Sequence, residues 1–153
     1  TKKLGNIYNY FDNTHLINTK YDSIILLNTI HNCFPNYKEF KENINIFSKK
    51  NTRIIIRYLD RNTFNNTFNS DKNIQLNNFG YIRKLEYNMI NIKFNWCHNI
   101  GSIEYLVSKE DLNNLFENFI IIYEEPKYIT KNKNFENIEK YLSCFKTIIY
   151  EKL

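Results

Sequence analysis

The chain has 153 residues, and its 21 Lys and Arg against 16 Asp and Glu give a net charge of +5. This length corresponds to one domain and is sufficient for a hydrophobic core. No apolar run approaches the roughly 20 residues that span a membrane, and the polar N-terminus lacks a signal-peptide core. We therefore expect a cytoplasmic protein without membrane contact.

Asparagine, isoleucine and lysine dominate the composition with 27, 23 and 17 residues, whereas alanine is absent and valine occurs once. AT-rich codons encode the three frequent residues, so genome composition explains the many asparagines better than a functional polar tract does. A basic chain suits a polyanionic partner, but codon bias explains the lysines equally well. Charge alone therefore does not predict RNA binding.

The three cysteines, Cys33, Cys97 and Cys144, are widely spaced and form no CxxC pair. This pattern predicts neither a zinc site nor a disulfide framework. Cys97 and His98 are adjacent, and adjacent residues of a strand point to opposite faces, so they cannot both ligate one metal without a bend. We expect structural thiols in a reducing compartment.

The first predicted element is a short strand at residues 7–12, where apolar and aromatic residues end in Asp12. A strand here would deliver Asp12 to its carboxyl end. The alternative is that Asp12 is a turn residue, which the following Asn13 and Thr14 favour.

The next element is an unbroken apolar run at Ile24–Leu27, with polar residues and a histidine directly after it. Such a run is typical of a strand that is buried on both faces of a parallel sheet. Ligands bind at the carboxyl ends of these strands, where Asn28, His31 and Asn32 would lie. The alternative is a core strand whose histidine only caps a loop.

A helix at residues 37–47 and a second apolar strand at residues 52–60 complete a strand–helix–strand crossover. The polar stretch 62–78 predicts a mobile loop. Gly80 then marks a turn into residues 81–87, which pair with the alternating residues 89–96 as an antiparallel hairpin.

The C-terminal third predicts a helix, a strand, a loop, a short helix and a final strand. Ser108 and the acids after it are an N-cap signal for the first of these helices. Residues 119–123 predict a buried strand, 127–136 a charged loop, and 145–150 the last strand. The predicted fold class is therefore α/β, with a mostly parallel sheet and an antiparallel hairpin at its C-terminal edge.

Two stretches, YDSIILLNTIHNCF and KKNTRIIIRYLD, resemble the fourth and fifth strands of class I S-adenosylmethionine-dependent methyltransferases. The stretch IKFNWCHNIGSIEYLVSKEDLNNLFENFIIIYEEPKYI resembles the mRNA cap guanine-N7 methyltransferases, which have a Glu-Tyr/Phe-Leu/Ile-Val/Ile segment before a helix and a strand. The ending YLSCFKTIIYEKL resembles the last strand in the large subunit of poxvirus-type capping enzymes. The resemblance implies a Rossmann-like methyltransferase sheet.

The resemblance covers nearly all of this chain, but only the C-terminal half to two-thirds of the family's domain. Gly5, Gly80 and Gly101 are the only glycines, and none lies in the GxGxxG-like turn that binds the cofactor in this family. Residues 1–153 thus predict a single, partial methyltransferase-like domain. Either it is a piece of a longer polypeptide, or a second polypeptide provides the glycine-rich cofactor loop.

The resemblance also implies a guanine pocket. The family's Phe-x-x-His-Tyr motif falls on Asn28 to Asn32, so His31 is retained and would contact guanine, while both aromatics are replaced. Glu104 falls on the cap-binding glutamate, whose carboxylate accepts hydrogen bonds from the guanine N1–H and exocyclic amine. Phe145 falls on the aromatic that sandwiches the guanine. Plain alternatives are a solvated edge residue for Glu104 and core packing for Phe145.

The cofactor implied by the resemblance is S-adenosylmethionine, with Asp12 near its adenine and Asn28 as a second contact. Trp96 reads as hairpin packing rather than a cap-stacking platform. Arg53, Arg57 and Arg61 are candidates for a triphosphate or RNA surface, although strand ends commonly carry charge.

Three functions follow from these expectations. The first is cap guanine-N7 methyl transfer to capped RNA, in a viral or host cytoplasmic setting. The second is a non-catalytic methyltransferase-like subunit that binds and stabilises a capping-enzyme partner, which the missing cofactor loop and Asn28 and Asn32 favour. The third is methyl transfer to another substrate, because the fold alone does not define the acceptor.

Overall fold

The computed structural model describes residues 19–34, 37–69, 71–96, 101–126 and 136–153. Its elements are β1 Tyr21–Leu27, a 3₁₀ helix Ile30–Cys33, α1 Lys38–Phe47, β2 Ser48–Leu59, α2 Arg61–Thr67, β3 Asn73–Gln75, β4 Gly80–Glu86, β5 Met89–Phe94, β6 Ser102–Tyr105, α3 Lys109–Leu115, β7 Phe119–Glu124, α4 Asn137–Leu142 and β8 Phe145–Lys152. The strand predicted at residues 7–12 lies outside the described residues, as does nearly all of the loop predicted at 127–136.

The first sheet has the strand order β1-β2-β8-β7. β1 and β2 are parallel and are joined through α1, so the predicted strand–helix–strand unit is confirmed. β8 is antiparallel to both β2 and β7, and therefore β1, β2 and β7 all run in one direction. The prediction of a mostly parallel sheet is wrong for this reason: a reversed strand lies between two that run the other way.

The second sheet is antiparallel throughout and has the order β3-β4-β5-β6. The predicted hairpin is present as β4 and β5, but it belongs to this separate sheet and not to the edge of the first one. Gly80 begins β4 with a φ of 151°. A Cβ there would lie 2.1 Å from the Lys93 carbonyl oxygen, so the hairpin requires glycine at this position.

The mobile loop predicted at residues 62–78 is wrong, because this stretch forms α2 and β3. Four of its side chains are buried in the core of the second sheet: Phe64, Phe68, Ile74 and Leu76. The asparagines between them suggested a loop, yet those asparagines lie on the solvent side.

Two hydrophobic cores correspond to the two sheets. The first lies between β1, β2 and β8 on one side and α1 and α3 on the other, with Phe40 and Ile44 of α1 packing on Ile54 and Ile56 of β2. The predicted start of α3 is confirmed by a capping box, in which Ser108 and Asp111 exchange side-chain to backbone hydrogen bonds.

Among the described strands, β1 and β7 lie at the two edges of the first sheet, and the predictions that residues 24–27 and 119–123 form buried strands are both wrong. Ile25 and Leu27 on one face of β1 are 61% and 55% exposed, so β1 is not buried on both faces within the described structure. On β7, every residue from Ile120 to Tyr123 is exposed although all four are apolar or aromatic. None of the helices in the described ranges is long and apolar enough to cross a membrane.

Asp60 joins the two sheets. Its side chain, 3% exposed, accepts hydrogen bonds from the Thr63 backbone N–H at 2.9 Å and from Lys146 Nζ at 2.8 Å. Its backbone N–H donates to the Cys144 carbonyl at 3.0 Å, and it forms a bridge with Val107 after β6. Asp60 therefore connects the end of β2 to the first turn of α2 and to the start of β8.

We predict that Asp60→Ala lowers the free energy of unfolding by about 3–5 kcal/mol, because it removes the α2 N-cap and leaves the Lys146 ammonium buried without a partner. Urea unfolding of the two proteins measures this difference. Asp22→Ala is the matched control, since Asp22 pairs with Lys49 at 2.6 Å but its side chain is 88% exposed; it should change the free energy by under about 1 kcal/mol. Equal effects of the two substitutions would contradict the role of Asp60.

Candidate functional site

At the carboxyl edge of the first sheet, β1, β2 and β7 end and β8 begins. β1 ends next to Asn28, which adopts a φ of 55° and donates its N–H to the Arg57 carbonyl at 3.0 Å. Because β8 runs in the opposite direction, its first residue, Phe145, pairs with Leu59 near the end of β2. The reversed strand thus delivers an aromatic side chain to the edge where α/β sheets bind ligands.

His31 lies in the 3₁₀ helix after β1 and is buried, with 8% of its surface exposed. Burial lowers the pKa of His31 below its ordinary value of 6.5, and the nearby Glu104 carboxylate acts in the opposite direction. The imidazole is therefore neutral at pH 7. Its Nδ1 atom is buried and has no hydrogen-bond partner among the described residues, which is unusual for a buried polar atom.

Glu104 reaches the same place from the second sheet. It lies on β6 opposite Ile90, so its side chain points to the core side of that sheet, where it is half-buried. The Ser102 hydroxyl donates to its carboxylate at 3.3 Å. β6 packs against the 3₁₀ helix that carries His31. Burial raises the pKa of Tyr141, and the Glu104 carboxylate raises it further, so this carboxylate acts electrostatically on both the imidazole and the phenol.

Tyr141 connects Glu104 to Phe145. The rings of Tyr141 and Phe145 meet edge to face with centroids 5.3 Å apart, and the Arg57 guanidinium lies over the Phe145 ring at 5.3 Å. We call these five residues the edge cluster: His31, Glu104, Tyr141, Phe145 and Arg57. The cluster brings together the three residues that the sequence predicted for a guanine pocket, although they come from three separate elements.

The other predicted residues have different positions. Asn28 lies at the end of β1 beside Arg57, whereas Asp12 lies outside the described residues. Asn32 has its backbone in the 3₁₀ helix, but its side chain is outside the described part. Trp96 is 61% exposed and stacks on Phe94 with centroids 4.5 Å apart.

Two of the three arginines proposed for a phosphate surface are engaged in ion pairs. Arg53 pairs with Glu151 at 3.1 Å, and Arg61 pairs with Asp111 at 3.2 Å. Arg57 has no carboxylate partner within the described ranges. It is therefore the arginine of this set whose charge remains available at the carboxyl edge.

A polar cavity of about 530 Å³ adjoins the cluster on the other side of Phe145. Asp60 and Lys146, and likewise Lys109 and Glu124, form ion pairs in its wall. Its charges are thus largely neutralised internally. Sequence patterns do not predict this cavity, because much of its lining comes from α2, where the asparagines predict a loop, and the rest comes from α3 and from the ends of separate strands.

The described ranges contain no group of three or more His, Cys, Asp or Glu residues that could hold a metal ion. Cys144 is buried, and burial raises the pKa of its thiol to about 11. Its Sγ–H donates to the Lys140 carbonyl at 3.1 Å. This thiol is therefore protonated and unreactive at neutral pH.

The side chains of the edge cluster are suited to hydrogen bonding and stacking with a ligand. A neutral imidazole with a free nitrogen lies beside a carboxylate that accepts hydrogen bonds, and two aromatic rings lie next to them. A flat heteroaromatic ligand that carries a carbonyl next to an N–H group would match this arrangement. The guanidinium over Phe145 adds a positive charge where a ligand's phosphates could extend.

Comparison with known proteins gives similarity of fold but not of sequence. No protein-family model and no curated protein matches the sequence. Among solved structures, an S-adenosylmethionine-dependent methyltransferase from Methanosarcina mazei aligns with 99% of this chain and 66% of its own, at 13% identity and a TM-score of 0.58. One from Clostridium acetobutylicum aligns with 89% of this chain and 60% of its own, at 15% identity and a TM-score of 0.54.

The CcbJ methyltransferase from Streptomyces caelestis also matches, with 8% identity, a TM-score of 0.52, and coverage of 89% of this chain and 62% of its own. The chain therefore has the α/β fold found in S-adenosylmethionine-dependent methyltransferases. It spans about three-fifths to two-thirds of the length of these structures.

We predict that acid destabilises the fold partly through His31. Because burial lowers its pKa in the folded state, the unfolded chain binds more protons, and stability falls as the pH drops below about 6.5. His31→Gln removes this component and should flatten the dependence between pH 7 and pH 5. Urea unfolding at several pH values measures it.

Glu104→Gln serves as the second variant in this experiment. It removes the carboxylate that favours the protonated imidazole, so the pKa of His31 should fall further in an NMR titration. An unchanged His31 titration in this variant would show that the two side chains do not interact.

Proposed function

We propose that this chain is the C-terminal portion of an S-adenosylmethionine-dependent mRNA cap guanine-N7 methyltransferase and that it bears the guanine pocket. The observation that carries the proposal is that the 3₁₀ helix with His31 packs against β6 with Glu104, while Phe145 packs edge to face on Tyr141, whose pKa the Glu104 carboxylate raises. The segments that resemble cap methyltransferases are the ones that contribute these residues. The fold similarity supports methyl transfer in general, and the residue matches support guanine as the acceptor.

The proposed pocket would read the Watson–Crick edge of guanine. The Glu104 carboxylate accepts hydrogen bonds from N1–H and the exocyclic amine, a pair of donors that adenine does not present side by side. The guanine O6 is adjacent to N1 and accepts a hydrogen bond from the neutral His31 imidazole. These contacts leave N7 free on the opposite side of the base.

This mode of binding is sufficient for catalysis, because guanine N7 is already nucleophilic and needs no general base. The rate then depends on holding N7 in line with the methyl group of the cofactor, through proximity and orientation. We accordingly assign no catalytic acid or base. Positioning by His31, Glu104 and Asn32, and stacking on Phe145, would be the contribution of this chain.

The cofactor in this proposal is S-adenosylmethionine, which supplies the electrophilic methyl group. Asp12 and Asn28 are the proposed contacts from this chain. Because none of the three glycines lies in a GxGxxG-like run, the ribose and methionine contacts are assigned to an additional N-terminal segment or a second polypeptide. The exposed apolar side chains of Ile25 and Leu27 on edge strand β1 support a neighbour on that side of the sheet.

A second function is favoured by two specific substitutions. Asn28 and Asn32 stand where cap methyltransferases of this type have aromatic residues, so one stacking surface of the pocket is replaced by amides. A non-catalytic methyltransferase-like subunit would keep the fold, bind a capping-enzyme partner through the exposed strand edge, and need no guanine pocket.

We predict that Glu104→Ala weakens binding of a cap analogue by roughly 1–3 kcal/mol, because the guanine N1–H and amine lose their acceptor. Quenching of the protein's tryptophan fluorescence by GpppG measures the affinity, with this chain combined with the proposed cofactor-loop segment or polypeptide. Glu110→Ala, which removes an exposed carboxylate of α3, is the control and should leave the affinity unchanged. Neither variant should unfold, and equal cap affinities would remove Glu104 from the pocket and favour the non-catalytic subunit.

We also predict that the isolated 153-residue chain binds S-adenosylmethionine weakly, with no heat detectable by calorimetry at micromolar concentrations. An assembly that also contains the proposed glycine-rich cofactor segment should bind it. Micromolar binding by the isolated chain would contradict the assignment of the ribose and methionine contacts to another segment. Absence of binding by the assembly as well would favour the non-catalytic subunit.

A further inference from the structure

The second sheet has an outer face that takes no part in either hydrophobic core. The pairing places Asn73, Arg83, Asn91 and Ile103 in one row across four strands, and Gln75, Tyr81 and Lys93 in a second row. Directly paired residues of antiparallel strands point to the same side. Since Ile74, Ile82 and Ile92 fill the core side, these two rows form the opposite side, which we call the outer face.

The outer face is basic and has no acidic residue in either row. Arg83 is exposed and Lys93 half-buried, and neither makes an ion pair with any described residue. Glu104 lies next to Ile103 in the chain but points to the core side. Within the two rows, therefore, no carboxylate neutralises the positive charge of the outer face.

An aromatic ring lies between the polar side chains of this face. Tyr81 is 41% exposed, with Gln75 and Lys93 as its neighbours in register. Phe79 and Trp96, whose centroids are 6.1 Å apart, are also exposed just beyond the start of β4 and the end of β5. Exposed aromatic rings on a basic sheet are the usual platform for unpaired bases.

A groove of about 520 Å³ begins where the outer face ends. Arg83 and Asn73 belong to both, and the groove adds Lys72 and Lys84. Asn65 and Asn69 of the α2 region and the exposed Tyr87 complete most of its wall, and Glu86 is the one carboxylate in its lining. The Lys84 ammonium donates to the Phe68 carbonyl and lies over the Phe64 ring, so Lys72 and Arg83 are the cations that the groove offers to a ligand. Two cations and three amides in one groove favour a ligand with repeated anionic groups and hydrogen-bond acceptors, as a phosphodiester backbone has.

We infer that the outer face and this groove bind single-stranded RNA, with Lys72, Arg83 and Lys93 on its phosphates and a base stacked on Tyr81. The surface lies on the other side of the second sheet from Glu104. The inference therefore holds whether or not the edge cluster binds guanine. Under the proposed function, this surface would hold the body of the transcript while the cap occupies the cluster.

The test measures binding of a fluorescein-labelled, uncapped 12-nucleotide RNA to the 153-residue chain by anisotropy over a range of salt concentrations. Affinity falls as the salt concentration rises, and each phosphate contact on a single strand adds about 0.7 to the steepness of this fall on a log–log plot. The double variant Lys72→Gln/Arg83→Gln loses two contacts and should therefore make the slope shallower by about 1.4. Its affinity at 0.1 M salt should fall roughly tenfold or more. Tyr81→Ala should weaken binding at least about fivefold, whereas Tyr81→Phe keeps the ring and the affinity.

The matched control is Lys38→Gln/Lys50→Gln, which removes the same charge from exposed residues outside this surface. It should leave the salt slope near that of the parent chain. Equal loss of binding in the control and the Lys72/Arg83 variant would overturn the inference, since general charge would then be sufficient. Equal affinity for a duplex of the same length, or for vesicles of phosphatidylserine, would overturn it too, because stacking on Tyr81 requires unpaired bases.

The single variant Lys72→Gln keeps the test valid if the double variant does not fold. Lys72 is exposed, and its substitution leaves every described hydrogen bond of the side chains in place. A fall in the salt slope of about 0.7 supports the inference, and an unchanged slope with unchanged affinity contradicts it. The Glu104→Ala variant should bind the uncapped RNA like the parent chain, so a failure of the guanine pocket and a failure of this surface are distinguishable.

Discussion

The buried carboxylate of Asp60 is the constraint on which the rest of the architecture depends. It caps α2 through the Thr63 N–H and hydroxyl at 2.9 and 2.6 Å, and it pairs with Lys146 at 2.8 Å. Phe145 is adjacent to Lys146, so the same interaction sets the position of an aromatic ring in the edge cluster. The second sheet is attached to the first at this point, because Asp60 forms a bridge with Val107, which follows β6 and its Glu104.

Local patterns predicted the elements whose signals lie within one segment. The apolar run before Asn28, the helix after Tyr37 and the Ser108 cap all depend on neighbours in sequence, and each was found within a few residues of its predicted place. The order of the strands in the sheet, and hence which strands are exposed, could not be predicted from such local patterns. The run at β7 is apolar like a core strand, yet its exposure follows from the strand order, which ends at β7.

The candidate site was predictable only in part, and through resemblance more than through pattern. His31, Glu104 and Phe145 were identified by matching motifs, and their roles remain predictions. Tyr141 and Arg57 were missed as members of the cluster because their neighbours are determined by the reversal of β8 and by the register of β2 against β8. No spacing within the sequence encodes a contact between residue 57 and residue 145.

The two exposed margins of the first sheet bear on how the protein behaves in solution. On β1, Ser23, Ile25 and Leu27 are exposed, and on β7 each residue from Ile120 to Tyr123 is exposed. A strand edge with apolar side chains and no pairing partner, as these two are among the described strands, is a template for intermolecular β-pairing. The isolated chain should therefore self-associate as its concentration rises, and co-expression with whatever normally lies against β1 would be the practical route to a monodisperse sample.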